Sequence, residues 1–308
     1  MRRHIFRILL PGILIFLASG LFGQEATLNR AQQLFRAQKY EQAALAVDSA
    51  IKHPQTTRDF ISWTTRAYIY YYIYVKTDKV KLISPLRDTV LISIRKSIAL
   101  NPDSEYVANN RRILNNLSAH YFNIAKYLLQ DSVDADRSLL AYQRYKELAK
   151  LADATANPDS RDIEYYLAVG SVYSEIYNKD NNNNKAQQIA KVALMKVLDM
   201  HPDNVNANMN MGLLYFNQAV NIVKSMDGEI PIEKIDELQE NVVKLARQSE
   251  QFMLRVYTTE PKNRKANTAL YYIYRMLYQL QKSDEFKKRA VDLGEKFEGA
   301  ETSPKSDK

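Results

Sequence analysis

Five prolines punctuate this chain at the ends of apolar-periodic runs, in the settings His53-Pro54, Asn101-Pro102-Asp103, Asn157-Pro158-Asp159, His201-Pro202-Asp203 and Glu260-Pro261-Lys262. Proline cannot continue a helix, and it pushes the residue before it out of the helical region. Asp or Asn beside it can cap the helix that follows. Each setting therefore marks one helix stopping and the next starting. Glycine, which tight hairpins and phosphate-cradling loops need, occurs only eight times in 308 residues. Helices joined by short polar turns are the expected outcome.

The segments between the prolines share two internal patterns. Before each proline a small or medium residue is followed four positions later by a larger apolar one: Ala43 and Val47, Val90 and Ile94, Ala141 and Tyr145, Ala190 and Leu194, Ser249 and Met253. A spacing of four places both on one helix face. Further upstream, Tyr166-x-x-Val169-Gly170-x-x-Tyr173 is echoed by Trp63-x-x-Arg66-Ala67-x-x-Tyr70, Leu114-x-x-Leu117-Ser118-x-x-Tyr121 and Asn208-x-x-Met211-Gly212-x-x-Tyr215. A small residue flanked by bulky ones a turn to either side is what a close helix crossing requires.

These motifs resemble the tetratricopeptide repeat family. The resemblance implies an all-α, right-handed superhelical solenoid of about six helix pairs over residues 24–297, with its first copy around Ala31 and Leu34 and its last around Leu277 and Leu280. The prolines stand 48, 56, 44 and 59 residues apart, against about 34 in the consensus repeat. The extra residues fall between the two helices of a pair, at Lys179 to Lys185 and at Asp227 to Glu240, and Ser84-Pro85 reads as a cap with a first-turn proline. Helices longer than usual, or bulging turns, are expected there.

In this family the first helix of each pair lines the inner curve. The resemblance therefore implies a partner-binding surface of Tyr68, Tyr71, Tyr72, Asn115, Phe122, Asn123, Asn206, Phe216, Asn217, Tyr274 and Tyr278. Tyrosine is abundant, at 21 residues, and clusters on these first helices at 68–74, 165–173 and 271–278. Its flat apolar ring and polar tip suit a groove for an extended peptide or a glycan, and suit packing between helices equally well. Members that grip a C-terminal carboxylate use Lys and Asn on successive turns. The matching pairs here, Leu28 and Gln32, Thr64 and Tyr68, Asn115 and Ala119, Leu167 and Ser171, lack that combination.

Residues 1–23 have a basic start (Arg2, Arg3, Arg7), an apolar run from Ile8 to Phe22, and small residues at Ala18, Ser19, Gly20 and Gly23. That layout is a secretory signal peptide, with cleavage after Gly20 or Gly23. Its apolar run of about 15 residues is shorter than the roughly 20 a spanning helix needs. The mature chain is then expected to be soluble and periplasmic, with residues 298–308 as a polar tail. Removing the three leader arginines leaves 40 basic against 35 acidic residues. These charges are scattered rather than drawn into the basic stripe that nucleic acid requires, so no nucleic-acid partner is expected.

Catalytic and cofactor chemistry is poorly supplied. With no cysteine there is no thiolate ligand, thiol nucleophile, disulfide or lipid-bearing N-terminal residue. The four histidines, His4, His53, His120 and His201, show no metal-ligand spacing. No nucleophile elbow or phosphate loop is present. Three triplets, Asp48-Ser49-Ala50, Asp88-Thr89-Val90 and Asp131-Ser132-Val133, resemble sites of O-glycosylation in secreted bacterial proteins, two of them overlapping packing positions. The expected protein is an exported scaffold without catalysis, cofactor or metal, whose partner is another protein or an extended peptide. The alternative is a peptide- or glycan-binding component of an outer-membrane assembly or uptake system.

Overall fold

A computed structural model describes residues 26–102, 105–130, 134–157, 159–226 and 230–297. The leader, the terminal tail and the third Asp-Ser-Val triplet lie outside the described residues. Among those described, twelve α-helices occur and no strand. They are α1 (26–36), α2 (Tyr40–Ala50), α3 (Phe60–Thr77), α4 (Pro85–Leu100), α5 (Tyr106–Gln130), α6 (Ala135–Ala152), α7 (Asp159–Lys179), α8 (Asn184–Met200), α9 (Val205–Ser225), α10 (Ile232–Thr259), α11 (Arg264–Met276) and α12 (Leu280–Asp292). They group into two compact units. The first holds residues up to 128 together with 136–156, and the second holds 129–135 and the residues from 157 onward.

Capping explains where the helices begin. Asp59 accepts from the amides of Ile61 and Ser62 at 3.0 Å each, and Ser84 Oγ accepts from Arg87 N at 3.2 Å with Pro85 in the first turn. After Pro202 and Pro261 the cap is the second residue on, not the neighbour. Asn204 and Asn263 accept from Ala207 N at 2.9 Å and Ala266 N at 3.1 Å. Four residues later a buried asparagine closes each turn: Asn208 Nδ2 donates to Pro202 O at 2.8 Å, and Asn267 Nδ2 to Pro261 O at 3.0 Å. The caps satisfy amides that a helix start would otherwise leave orphaned, and the buried asparagines tie the preceding turn to the helix.

The length beyond the consensus repeat goes mainly into long helices, α5 with 25 residues and α10 with 28. The insertion at 179–185 is no bulge, since α7 runs to Lys179, Asn183 caps α8 and only a short turn separates them. The first and last pairs close differently. Gln38 and Tyr278 take φ of 60° and 57°, and Lys39 N and Gln279 N reach back to Leu34 O and Tyr274 O at 2.9 Å. This is the left-handed helix stop that usually takes glycine.

The motif glycines lie at helix contacts. A Cβ on Gly170 would meet Leu194 Cδ2 at 2.5 Å, and one on Gly212 would meet Met253 Cε at 2.8 Å. Leu194 and Met253 are the larger members of two of the four-spaced pairs. Ser249, the smaller partner of Met253, donates its hydroxyl to Gly212 O at 2.7 Å. Ser283 does the same to Tyr271 O at 3.1 Å, and Ser138 to Ala125 O at 2.8 Å. The third pair therefore has a close approach at Ala125, seven residues beyond the Ser118 of the sequence motif. In the last pair the motif is Asn267-x-x-Leu270-Tyr271-x-x-Tyr274, earlier than the Leu277 and Leu280 register. All four residues are buried.

Between α2 and α3, Arg66 Nε binds Asp48 Oδ1 at 2.7 Å while Tyr70 donates to Asp48 Oδ2 at 2.7 Å. Burial and the Asp48 carboxylate push the Tyr70 phenol up to about 12. Asp48 thus ties two helices together, and the two described Asp-Ser/Thr triplets sit within α2 and α4. A buried hydroxyl chain links the next helices: Thr64 Oγ1 lies 2.7 Å from Ser97 Oγ, which accepts from Asn110 Nδ2 at 3.1 Å.

Candidate functional site

In the first unit the first helices of three successive pairs line one cavity of about 280 Å³. Gln32, Phe35 and Arg36 come from α1, Thr64, Thr65, Tyr68 and Ile69 from α3, and Tyr106 and Asn109 from α5. Sharing three helices follows from the repeat, because each first helix packs beside the next and turns one stripe outward. The lining mixes ring edges with amide and hydroxyl groups. Gln32 Nε2 approaches Thr65 Oγ1 at 3.4 Å, a long and weak contact. Arg36 is exposed and has no carboxylate partner among the described residues.

Tyr68 and Tyr72 are exposed at their edges, but their rings are engaged. Phe35 meets Tyr40, Tyr68 and Tyr72 edge-on with centroids 5.4 Å apart in each case, Tyr72 stacks on Tyr40 at 4.9 Å, and Lys76 Nζ sits 4.2 Å from the Tyr40 ring. This cluster locks α1, α2 and α3 together and leaves Tyr68 forming one wall of the cavity. Tyr71 is half-buried, with its ring 6.5 Å from that of Tyr74. Asn115 and Asn123 are exposed on α5.

Phe122 is not on this surface. It is buried in the α5–α6 interface, with ring centroids 6.1 Å from Tyr142 and 5.2 Å from Tyr145. The Ser138–Ala125 contact explains this, because Phe122 lies three residues before Ala125 and shares its face.

In the second unit, α7 and α9 are joined by an amide ladder: Asn210 Nδ2 donates to Ser171 Oγ at 3.0 Å and Asn217 Nδ2 to Asn178 Oδ1 at 2.9 Å. Asn206 is exposed one turn earlier. Half-buried Phe216 leans on exposed Tyr272 at 6.3 Å. Tyr274, expected here, is buried and stacks on Phe286 of α12 at 5.5 Å, and burial with the nearby Glu250 carboxylate pushes its phenol up to about 12. Its register reassigns the outward position to Tyr272. Tyr278 is 74 % exposed but sits in the left-handed turn after α11 rather than on a helix face. Tyr272 could have been found by aligning Pro261-Lys262-Asn263 with Pro202-Asp203-Asn204.

No group of three or more His, Asp or Glu among the described residues is placed to hold a metal ion. No helix among them is long and apolar enough to cross a membrane. No family model matches the sequence, and neither does any curated protein. Solved structures similar to it are helical-repeat proteins. Human IFIT1, solved as a dimer with m7Gppp-AAAA, is 18% identical over 87% of this chain and 50% of its own, with a TM-score of 0.34. PilW, a type IV pilus biogenesis factor, is 16% identical over 87% and 92%, with a TM-score of 0.29. Yeast Tom70 is 12% identical over 87% and 68%, with a TM-score of 0.24. The chain spans half the length of the IFIT1 chains it matches.

Proposed function

We propose that this protein is a non-catalytic scaffold that holds an extended segment of another protein against the first-helix faces of its repeats. The observation that carries this reading is the cavity of about 280 Å³ built from α1, α3 and α5 alone. The first helices of three consecutive pairs present ring edges beside amides and hydroxyls, a combination that grips side chains and peptide groups together. Arg36 adds a cation at the rim, able to receive a carboxylate of the bound segment. The second unit, taken by itself, offers groups of the same kind on its own first helices: Asn206, the Asn210 and Asn217 ladder and Tyr272. With residues 1–23 as a signal peptide, the scaffold acts in the periplasm.

The glycan-binding alternative draws less support. Sugar recognition by tyrosine uses an open ring face, whereas Tyr72 has one face stacked on Tyr40 and both Tyr68 and Tyr72 pack against Phe35. Affinity capture from cell-envelope extract tests the proposal, using the wild-type chain and an Arg36→Glu/Tyr68→Ala variant side by side. A discrete protein retained by the first and lost by the second is the expected result. Identical retention by both would remove the first-helix cavity from the account.

A further inference from the structure

We propose a second docking site, on the second helices of the first unit, for an acidic amphipathic segment of a partner protein. A cavity of about 390 Å³ is lined by residues of α4 and α6, by Leu82, Ile83 and Ser84 just before α4, and by Tyr121 of α5. Its apolar rim is bare: Ile83 is 80 % exposed, Ile92 54 % and Leu140 49 %. Apolar side chains grouped around a cavity are the mark of a surface that another molecule covers.

The charges give the occupant its sign. Arg87, Arg95 and Arg144 line the cavity with only two carboxylates, Asp88 and Glu147. Glu147 is taken by Arg144 at 2.7 Å. Asp88 forms no ion pair among the described residues, and Arg95 has no carboxylate partner among them. Arg87 is 1 % exposed and also lacks a carboxylate. Its Nη1 donates to Lys81 O at 2.9 Å, its Nη2 donates to Leu82 O, and its guanidinium carbon lies 4.2 Å from the Tyr121 ring centroid. Its Nε has no hydrogen-bond partner. A guanidinium held out of water by two carbonyls and the rings of Tyr121 and Tyr74, without a counter-ion, is costly. A carboxylate seated at the cavity mouth offsets that cost while Arg95 pairs with a second one.

A free small anion would satisfy the guanidiniums but leave Ile83, Ile92 and Leu140 in water. A helix or strand presenting aliphatic side chains beside Asp or Glu meets both demands. The site lies off the first-helix face and does not depend on the reading given above for that face.

The test is selection of a randomised 16-residue phage-displayed peptide library on the full mature chain. Enriched peptides are then synthesised and titrated by fluorescence anisotropy against wild type, Arg95→Glu, Ile92→Asp and Tyr68→Ala. The substituted side chains are exposed, and circular dichroism verifies each fold. Peptides pairing Leu, Ile or Phe with Asp or Glu, weakened at least tenfold by Arg95→Glu and by Ile92→Asp but not by Tyr68→Ala, are the expected result. Absence of any such peptide, enrichment of basic peptides, or sensitivity to Tyr68→Ala alone would overturn the proposal. So would phosphatidylglycerol vesicles that bind the chain through Arg95 when no peptide does.

Discussion

Replacing Gly170 by alanine should destabilise the protein even though alanine is the better helix former. In an open helix the change gains about 1 kcal/mol. Here the new methyl would lie 2.5 Å from Leu194 Cδ2 and 2.6 Å from Cγ, about 1 Å inside ordinary carbon contact. The Cγ atom cannot be swung clear as a chain end can. Either buried Leu194 leaves its rotamer or α7 and α8 part. Overpacking of this kind costs about 1–3 kcal/mol, and a clash with two atoms of a branched side chain belongs in the upper half of that range. The net expectation is a loss of about 1–2 kcal/mol. Gly212→Ala is the internal control, because its nearest neighbour at 2.8 Å is Met253 Cε, the end of a flexible side chain. That variant should be within about 0.5 kcal/mol of wild type. Urea unfolding followed by helical circular dichroism measures both. Combining Gly170→Ala with Leu194→Ala should cost less than the sum of the two single changes, since the methyl enters space the leucine vacated. A Gly170→Ala protein more stable than wild type, or strict additivity in the double variant, would refute the crossing at Gly170.

Three further outcomes follow from the same structure. Ser249→Ala removes a buried hydroxyl bond to Gly212 O and should cost about 1 kcal/mol in urea unfolding, with no change if that bond is absent. Tyr278→Gly relieves a left-handed backbone and should raise stability by about 0.5–1 kcal/mol, whereas a loss would show that the tyrosine ring holds the turn. His120, 3.3 Å from the Tyr74 hydroxyl, has its imidazolium disfavoured first by burial and then by Lys79 and Arg87, so its pKa is lowered in the folded state. The unfolded chain then takes up the proton at higher pH. The stability this provides is complete above the ordinary histidine value near 6.5 and is lost as pH falls through the lower folded value. Thermal melts at pH 7.5 and 5.5 should show a drop in midpoint that is smaller in His120→Gln, and equal drops would refute the shift.

The fold was legible because its determinants are local and repeated. Proline settings stop helices, asparagines start them, and Gly170 and Gly212 announce where two helices meet. What misled was register. Long α5 contains two stretches that satisfy one pattern, around Ser118 and around Ala125. Only the partner helix, through Ser138, shows that Phe122 faces inward. At the C-terminal pair tyrosine occupies the small-residue slot at 271, so a search for glycine or alanine passes over it and shifts Tyr274 to the wrong face. Which tyrosines would serve the proposed binding face was not legible, because a tyrosine that packs and one that binds have the same sequence signature. The α4–α6 cavity gave no signal at all, since Arg87 and Arg95 are ordinary two turns apart on α4 and Arg144 lies about fifty residues further on, on α6.

The claim that the first-helix faces do the binding is most directly tested by photocrosslinking in intact cells. A benzophenone amino acid is placed in turn at Arg36, Tyr68 and Tyr272, and at Leu45 and Val192 on second helices α2 and α8. A discrete protein adduct is expected from the first three positions and none from the last two. Adducts arising at Leu45 or Val192, with none at Arg36, Tyr68 or Tyr272, would contradict it.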